Sequence, residues 1–146
     1  EFAEFLVNIP VDTTYARFSL FDANVTPGSD LDLYVFNSAG AQVGYSGSGT
    51  SAEEINLMNP AAGAYYVVVE GYATANPSTF TLFTWALGST AAGNMTVSAP
   101  ATATLGSTGA IGLTFTGLTP GVKYLGSVVY GGAAGMPNPT IVRVDP

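Results

Sequence analysis

Apolar and polar residues alternate along most of the chain, as they do in half-buried β-strands. The alternation is clear in segments 5–9, 16–20 and 31–35, where every second residue is apolar. Segment 65–69 has large side chains at every position, which is typical of a central strand covered on both faces. Turn-forming residues interrupt these segments at short intervals, and helical periodicity is nearly absent. The pattern therefore predicts an all-β fold of short antiparallel strands.

The strand pattern is already complete near Leu87. Seven or eight segments of strand length precede this point, enough for two packed sheets when a strand averages about five or six residues. Small residues fill segment 88–94, which predicts a linker. Four weaker strands follow it. We therefore predict a β-sandwich over residues 1–87 and a small β subdomain over 95–146, either a β-rich tail or a minimal second sandwich.

Two segments share one local pattern. Segments 57–66 and 118–124 both read Leu, Pro, Gly, Tyr and lead into Val-rich strands. Pro and Gly suit a corner between sheets, where the tyrosine ring packs and its hydroxyl bonds the backbone. This pattern predicts architecture rather than a ligand. A further loop is predicted to begin at Asn76-Pro77, and a strand that contains Phe80, Leu82, Phe83 and Trp85 is predicted to follow it.

The charge balance excludes several classes of function. Charged residues make up 9% of the chain, the net charge is −7, and Lys and Arg together number three. Proteins bind nucleic acids and anionic membrane surfaces mainly through Lys and Arg, so neither is an expected partner. The chain contains no Cys and no His, which excludes disulfides and sites that need a thiol or an imidazole. A binding or structural module remains, or an enzyme that uses carboxylates alone.

Two aspartates in one strand are the sharpest chemical signal. Asp30 and Asp32 are two residues apart, so a regular strand projects both carboxylates from one face, where they repel each other. A shared Ca²⁺ would relieve that repulsion with six to eight oxygen ligands. The alternative is that both accept hydrogen bonds from turn amides or from Thr and Ser hydroxyls. Further ligands for a cation would be Asp22, Asn24, Glu70 and the backbone near Gly28.

Exposed tyrosines are a second candidate signal. Tyrosines on the face of a sandwich commonly hold extended polymers, and Tyr45 and Tyr72 are the candidates for contacting a substrate. The alternative is that the tyrosines cover the edges of the core. The pair Glu53-Glu54 lies on a strand, so its members point to opposite faces, and we expect a solvated edge there.

Four segments together resemble a known family. Segments 30–35, 44–46, 53–55 and 62–72 are similar in order and spacing to the bacterial pre-peptidase C-terminal domain, and the resemblance extends from Phe5 to Leu87. It implies a jelly-roll-like antiparallel β-sandwich attached to a secreted peptidase. Members of this family are usually not catalytic, some relatives bind substrate and some bind calcium. The tail from Thr108 to Asp145 resembles the segment that follows such domains in subtilisin-like peptidases.

These observations predict a non-catalytic accessory domain of a secreted, extracellular bacterial protease, which aids substrate attachment, stability or secretion. Its expected partners are the parent subtilisin-like peptidase domain and a polymeric protein substrate. The chain opens directly into a strand pattern, so we expect a piece of a longer protein. The alternative function is a free-standing adhesion or carbohydrate-binding β-sandwich. An enzyme is the least favoured class, because it would have only carboxylates to work with.

Overall fold

A computed structural model describes residues 1–75, 77–132 and 134–146 of the chain. It divides into two compact units, Glu1–Ser89 and Thr90–Pro146. The predicted loop start at Asn76 lies outside the described residues. Apart from one 3-10 turn at Asp22–Asn24, all the regular elements described are β-strands. No described helix is long and apolar enough to span a bilayer.

Unit 1 is a sandwich of two antiparallel sheets. Its strands are β1 (Phe2–Ile9), β2 (Tyr15–Ser19), β3 (Asp30–Asn37), β4 (Gln42–Ser46), β5 (Glu54–Met58), β6 (Gly63–Ala73) and β7 (Phe83–Leu87). The four-stranded sheet has the order β1-β6-β3-β4 and the three-stranded sheet the order β5-β2-β7. This arrangement confirms the predicted all-β sandwich, whereas the finer jelly-roll arrangement stays a prediction.

One hydrophobic cluster fills the space between the two sheets. The inward side chains of β3 alternate with outward ones, as predicted from the sequence. β6 alternates in the same way, which corrects the expectation that this strand is covered on both faces, because Tyr66 on its outer side is exposed. Phe18 of β2 and Leu33 of β3 are fully buried, so each sheet contributes to a shared core. The buried side chains that β3 and β6 contribute to the cluster are Leu31, Leu33, Val35, Tyr65, Val67 and Val69.

The connection into β7 differs from the sequence-based expectation. A strand was predicted from Phe80, but β7 begins at Phe83. Phe80 instead forms an isolated bridge with Val25, and its ring meets the Phe5 ring edge-on at 5.9 Å. The alternation in this segment therefore indicated burial of Phe80 at the side of the core rather than membership of the last strand.

The predicted tyrosine corner is present before β6. Tyr65 is buried and its hydroxyl donates to the carbonyl of Ala61 at 3.0 Å. Gly63 adopts φ 126° at this corner, a backbone conformation that favours glycine. The bond satisfies a carbonyl that the bend would leave unpaired.

The loop between β4 and β5 is held from within by two side chains. The Ser51 hydroxyl accepts a hydrogen bond from the Leu31 amide at 3.0 Å and donates one to the Ser29 carbonyl at 2.9 Å. The Glu53 carboxylate accepts from the Ser48 amide at 2.7 Å, from the Ser48 hydroxyl at 2.7 Å, and from the Ser46 hydroxyl. Glu53 is only 2% exposed.

This burial corrects one expectation about the pair Glu53-Glu54. Glu53 precedes β5 and does not lie on a strand, whereas Glu54, the first residue of β5, is exposed and pairs with Arg17 at 3.1 Å. Glu53, however, is a buried anchor of the loop and not part of a solvated edge. Hydrogen bonds from three donors replace the bonds to water that the Glu53 carboxylate loses on burial.

Unit 2 contains two separate hairpin-like ladders. Met95–Ser98 (β8) pairs with Gly112–Phe115 (β9), and Tyr124–Val128 (β10) pairs with Thr140–Val144 (β11). These are the four weaker strands predicted for this region. The Thr119 amide donates to the Tyr124 hydroxyl at 3.0 Å, which lowers the pKa of Tyr124.

Candidate functional site

The outward side chains of the four-stranded sheet form a surface that we call the outer face. Its geometry follows from the cross-strand register, which places Tyr66 of β6 opposite Phe36 of β3 and Val68 opposite Tyr34. On the other side of β6, Glu4 of β1 lies opposite Val68. Directly opposed side chains in an antiparallel pair have their Cβ atoms about 4.5–5.5 Å apart. Three strands therefore contribute neighbouring side chains to one patch.

A shallow depression of about 540 Å³ lies in the outer face. The Tyr34 and Phe36 rings are nearly parallel, with centroids 6.5 Å apart and an angle of 14° between their planes. Carboxylates and aromatic rings thus surround an apolar floor. The residues that line the depression are Phe2, Glu4, Tyr34, Phe36, Gly40, Tyr66, Val68 and Glu70.

Two tyrosine–carboxylate pairs lie on the outer face. A hydrogen bond between Tyr34 and Glu70, together with burial and the charge of Glu70, raises the pKa of Tyr34 to about 12. The hydroxyl of Tyr45 donates to Asp32 at 3.3 Å. Burial raises the pKa of Asp32, with a further contribution from nearby acidic groups, while the bond from Tyr45 opposes the rise. Burial and the charge of Asp32 also raise the pKa of Tyr45.

The three acids predicted to hold a cation occupy different surroundings. Asp32 and Glu70 face each other across β3 and β6, each bonded to a tyrosine. Asp30 lies at a shift in the strand register and lines a second depression of about 320 Å³ with Asp22 and Gly28. Oδ1 of Asp30 is buried without a hydrogen-bond partner.

These carboxylates do not fit a calcium site as a set. Within residues 1–75, 77–132 and 134–146, no group of three or more acidic side chains is placed to hold a metal ion. Ca²⁺ requires six to eight oxygen ligands. A bound Ca²⁺ at Asp30, Asp32 and Glu70 has no support from this arrangement and stays a prediction.

The two predicted substrate-contacting tyrosines lie in different places. Tyr45 is 52% exposed, and its ring centroid lies 4.8 Å from that of Tyr34, beside the depression. Tyr72 is 77% exposed but does not line it. Of the residues that line the depression, prediction from sequence named Glu70, as a cation ligand, but did not single out Glu4 or Val68. The alternation in β3 marked its outward residues, but nothing in the sequence indicated that β1 lies beside β6.

Comparison with known proteins identifies the sandwich. Residues 7–71 match the family described as bacterial pre-peptidase C-terminal domain. This segment resembles the domain of that family. Pre-peptidase C-terminal domains are non-catalytic domains found in proteases. The match covers β2 to β5 completely, and parts of β1 and β6, so most of the outer face lies within the family's domain.

The chain is also similar to Pyrolysin from Pyrococcus furiosus (strain ATCC 43587 / DSM 3638 / JCM 8422 / Vc1), with 35% identity over 79 residues. The matched stretch is 51% of this chain and 6% of Pyrolysin. The family resemblance noted from the sequence is thereby confirmed. Both comparisons associate the matched segment of this chain with proteases.

Proposed function

We propose that this chain is a non-catalytic accessory part of a secreted, extracellular bacterial protease and that it attaches the enzyme to polypeptide substrate through the outer face. The observation that carries the proposal is the aromatic depression on that face. Its rings present a large contact area with few rotatable bonds, so little conformational entropy is lost when a partner binds. The parent enzyme is proposed to be a subtilisin-like serine peptidase.

Similarity to the pre-peptidase C-terminal domain family supports a role beside a peptidase domain. The sequence supports a non-catalytic role, since a serine or threonine nucleophile would have no imidazole base anywhere in the chain. Exposed aromatic side chains grouped on one sheet face are typical of interaction surfaces. Attachment increases the local concentration of substrate at a tethered enzyme without any new catalytic group.

Co-sedimentation tests the attachment. The chain is mixed with insoluble casein, collagen, cellulose or chitin, and the bound fraction is measured after centrifugation. We expect retention on a protein polymer and loss of that retention in a Phe36→Ala/Tyr66→Ala variant. Tyr72→Ala is the matched control, because it removes an exposed tyrosine of β6 that does not line the depression.

Each outcome has a defined consequence. Retention on a protein polymer that depends on Phe36 and Tyr66 supports the proposal. Retention on a polysaccharide alone would overturn it in favour of a carbohydrate-binding sandwich. Equal retention of the depression variant and of Tyr72→Ala would show that the outer face is not the attachment surface. Circular dichroism of each variant establishes that the fold is kept.

A further inference from the structure

The depression on the outer face is lined by acidic side chains and by no basic one. Glu4 and Glu70 line it, and Asp32 lies opposite Glu70 on the neighbouring strand. None of the three Lys and Arg residues of the chain is among the lining residues. Arg17, the basic residue of the sandwich, lies on β2 in the other sheet and pairs there with Glu54.

The register places the two carboxylates around one apolar floor. Glu4 lies directly across from Val68, and Glu70 follows Val68 by two residues on the same face of β6. Diagonal and same-face neighbours in a sheet are within reach of long side chains. A group above Val68 can therefore approach both carboxylates.

Aromatic rings bound the same space. Tyr34 and Phe36 present nearly parallel rings, and Tyr66 lies opposite Phe36 across the strand pair. A cation over an aromatic ring is attracted by the negative face of the ring. Guanidinium combines such stacking with fixed hydrogen-bond donors that match a carboxylate. Aromatic faces and carboxylates together therefore suit an arginine side chain better than an acidic or neutral one.

We propose that the depression binds an arginine side chain of a polypeptide, with the guanidinium at Glu4 and Glu70 and its aliphatic stem on Val68 and the neighbouring rings. This proposal rests on the proposed function, because the occupant is a side chain of the polypeptide to which the domain attaches. It adds a chemical preference: protein surfaces rich in arginine are held, and acidic ones are repelled by a chain of net charge −7.

The test uses two short blocked peptides that differ in one group. One peptide has a central arginine between Gly and Ser residues, and the other has citrulline, an uncharged analogue of similar shape. Binding to the full chain is followed by amide chemical shifts in ¹H–¹⁵N NMR spectra. We expect the arginine peptide to shift residues around Val68 and to bind at least about fivefold more tightly than the citrulline peptide, from one cation–π contact and two exposed carboxylate contacts. Raising the salt concentration to 1 M should reduce this preference.

A charge-matched pair of variants locates the effect. Glu4→Gln/Glu70→Gln removes both carboxylates of the depression and keeps the side-chain shape. Asp12→Asn/Glu54→Gln removes the same net charge at exposed positions outside the depression. We expect the first variant to lose the preference for arginine over citrulline and the second to keep it.

The outcomes separate this proposal from the attachment proposal. Equal binding of the two peptides, or an arginine preference that survives in Glu4→Gln/Glu70→Gln, would overturn the arginine site even if the chain sediments with protein polymers. An arginine preference confined to the depression, in a chain that sediments with no protein polymer, would support the arginine site and overturn substrate attachment.

Discussion

Two buried serines in the sandwich should respond in opposite ways to the same substitution. Ser51 is 1% exposed, and its hydroxyl bonds both the Leu31 amide and the Ser29 carbonyl. Ser19 is 0% exposed, and its hydroxyl has no hydrogen-bond partner. Replacing each by alanine removes one oxygen atom. At Ser51 the deletion leaves backbone groups unpaired, whereas at Ser19 it removes an unpaired group.

The loss of stability expected for Ser51→Ala follows from the backbone groups that the substitution leaves unpaired. Leu31 lies where the register of β3 with β6 shifts, so its amide depends on the serine hydroxyl. An unsatisfied buried donor costs about 1–3 kcal/mol, and the lost bond to the Ser29 carbonyl adds about 1 kcal/mol. We expect Ser51→Ala to lower the free energy of unfolding by about 2–4 kcal/mol. For a unit of 89 residues, that corresponds to a fall in Tm of roughly 10–20 °C.

Ser19→Ala provides the internal control for size and burial. It should leave the free energy of unfolding unchanged or raise it by up to about 1 kcal/mol, since a buried hydroxyl without a partner is unfavourable. Urea unfolding followed by the fluorescence of Trp85, the single Trp of the chain, reports on unit 1. Equal losses in the two variants would refute the reasoning, because the hydrogen bonds of Ser51 would then contribute nothing beyond its buried volume.

Three further changes test other contacts in the sandwich. Tyr65→Phe removes the corner hydrogen bond and should cost about 1 kcal/mol in urea unfolding; no change in the urea midpoint would show that the bond does not stabilise the corner. Gly44→Ala places a methyl against Ile55 and should cost about 1–3 kcal/mol, whereas Gly49→Ala meets open space and should stay within about 0.5 kcal/mol. Burial raises the pKa of Asp32 in the folded state above 3.8. The protonated carboxyl therefore stabilises the fold below pH 3.8, and this contribution is lost as the pH rises through the folded pKa. Asp32→Asn should therefore gain stability relative to wild type as the pH rises above 3.8 in parallel melting curves. A gain of the variant relative to wild type as the pH falls would contradict the sign.

A separate melting experiment tests the predicted cation site. If Asp30, Asp32 and Glu70 share Ca²⁺, a hundredfold excess over Kd stabilises the chain by about 2.7 kcal/mol. The melting temperature should then fall on addition of chelator, and Asp32→Asn should abolish that fall. Identical wild-type curves in calcium and in chelator would exclude the site.

The alternation of apolar and polar residues predicted which side chains of β3 face the core, because a period of two assigns each residue to one face. The Leu-Pro-Gly-Tyr pattern likewise predicted the hydroxyl contact of Tyr65, which depends only on residues close in sequence. Both features are local. Their agreement with the structure reflects that locality. The large residues at every position of segment 65–69 predicted cover on both faces, and only the structure showed that the outer side of β6 is exposed at Tyr66.

Non-local features were not predictable in the same way. Glu53 was expected to be solvated, but Ser46 and Ser48 donate hydrogen bonds to its carboxylate. A strand pattern does not predict the path of the loop that brings these donors to Glu53. The depression needs Glu4 beside Val68, residues that only the pairing of β1 with β6 brings together. Tyr72 looked equivalent to Tyr45 by residue type, and only the register showed which of them lies beside the depression.

The pairing of β1 also has a consequence for biosynthesis. The first strand of the chain has its partner in β6, so Phe2 meets Glu70 and Ile9 meets Gly63. During synthesis β1 therefore cannot pair until β6 has been translated. Until then this strand of eight residues, with its apolar side chains, has no partner strand. Such long-range closure slows folding. Glu1, just before β1, and Glu4 within it carry two negative charges. These charges oppose association of the unpaired strand with identical nascent chains.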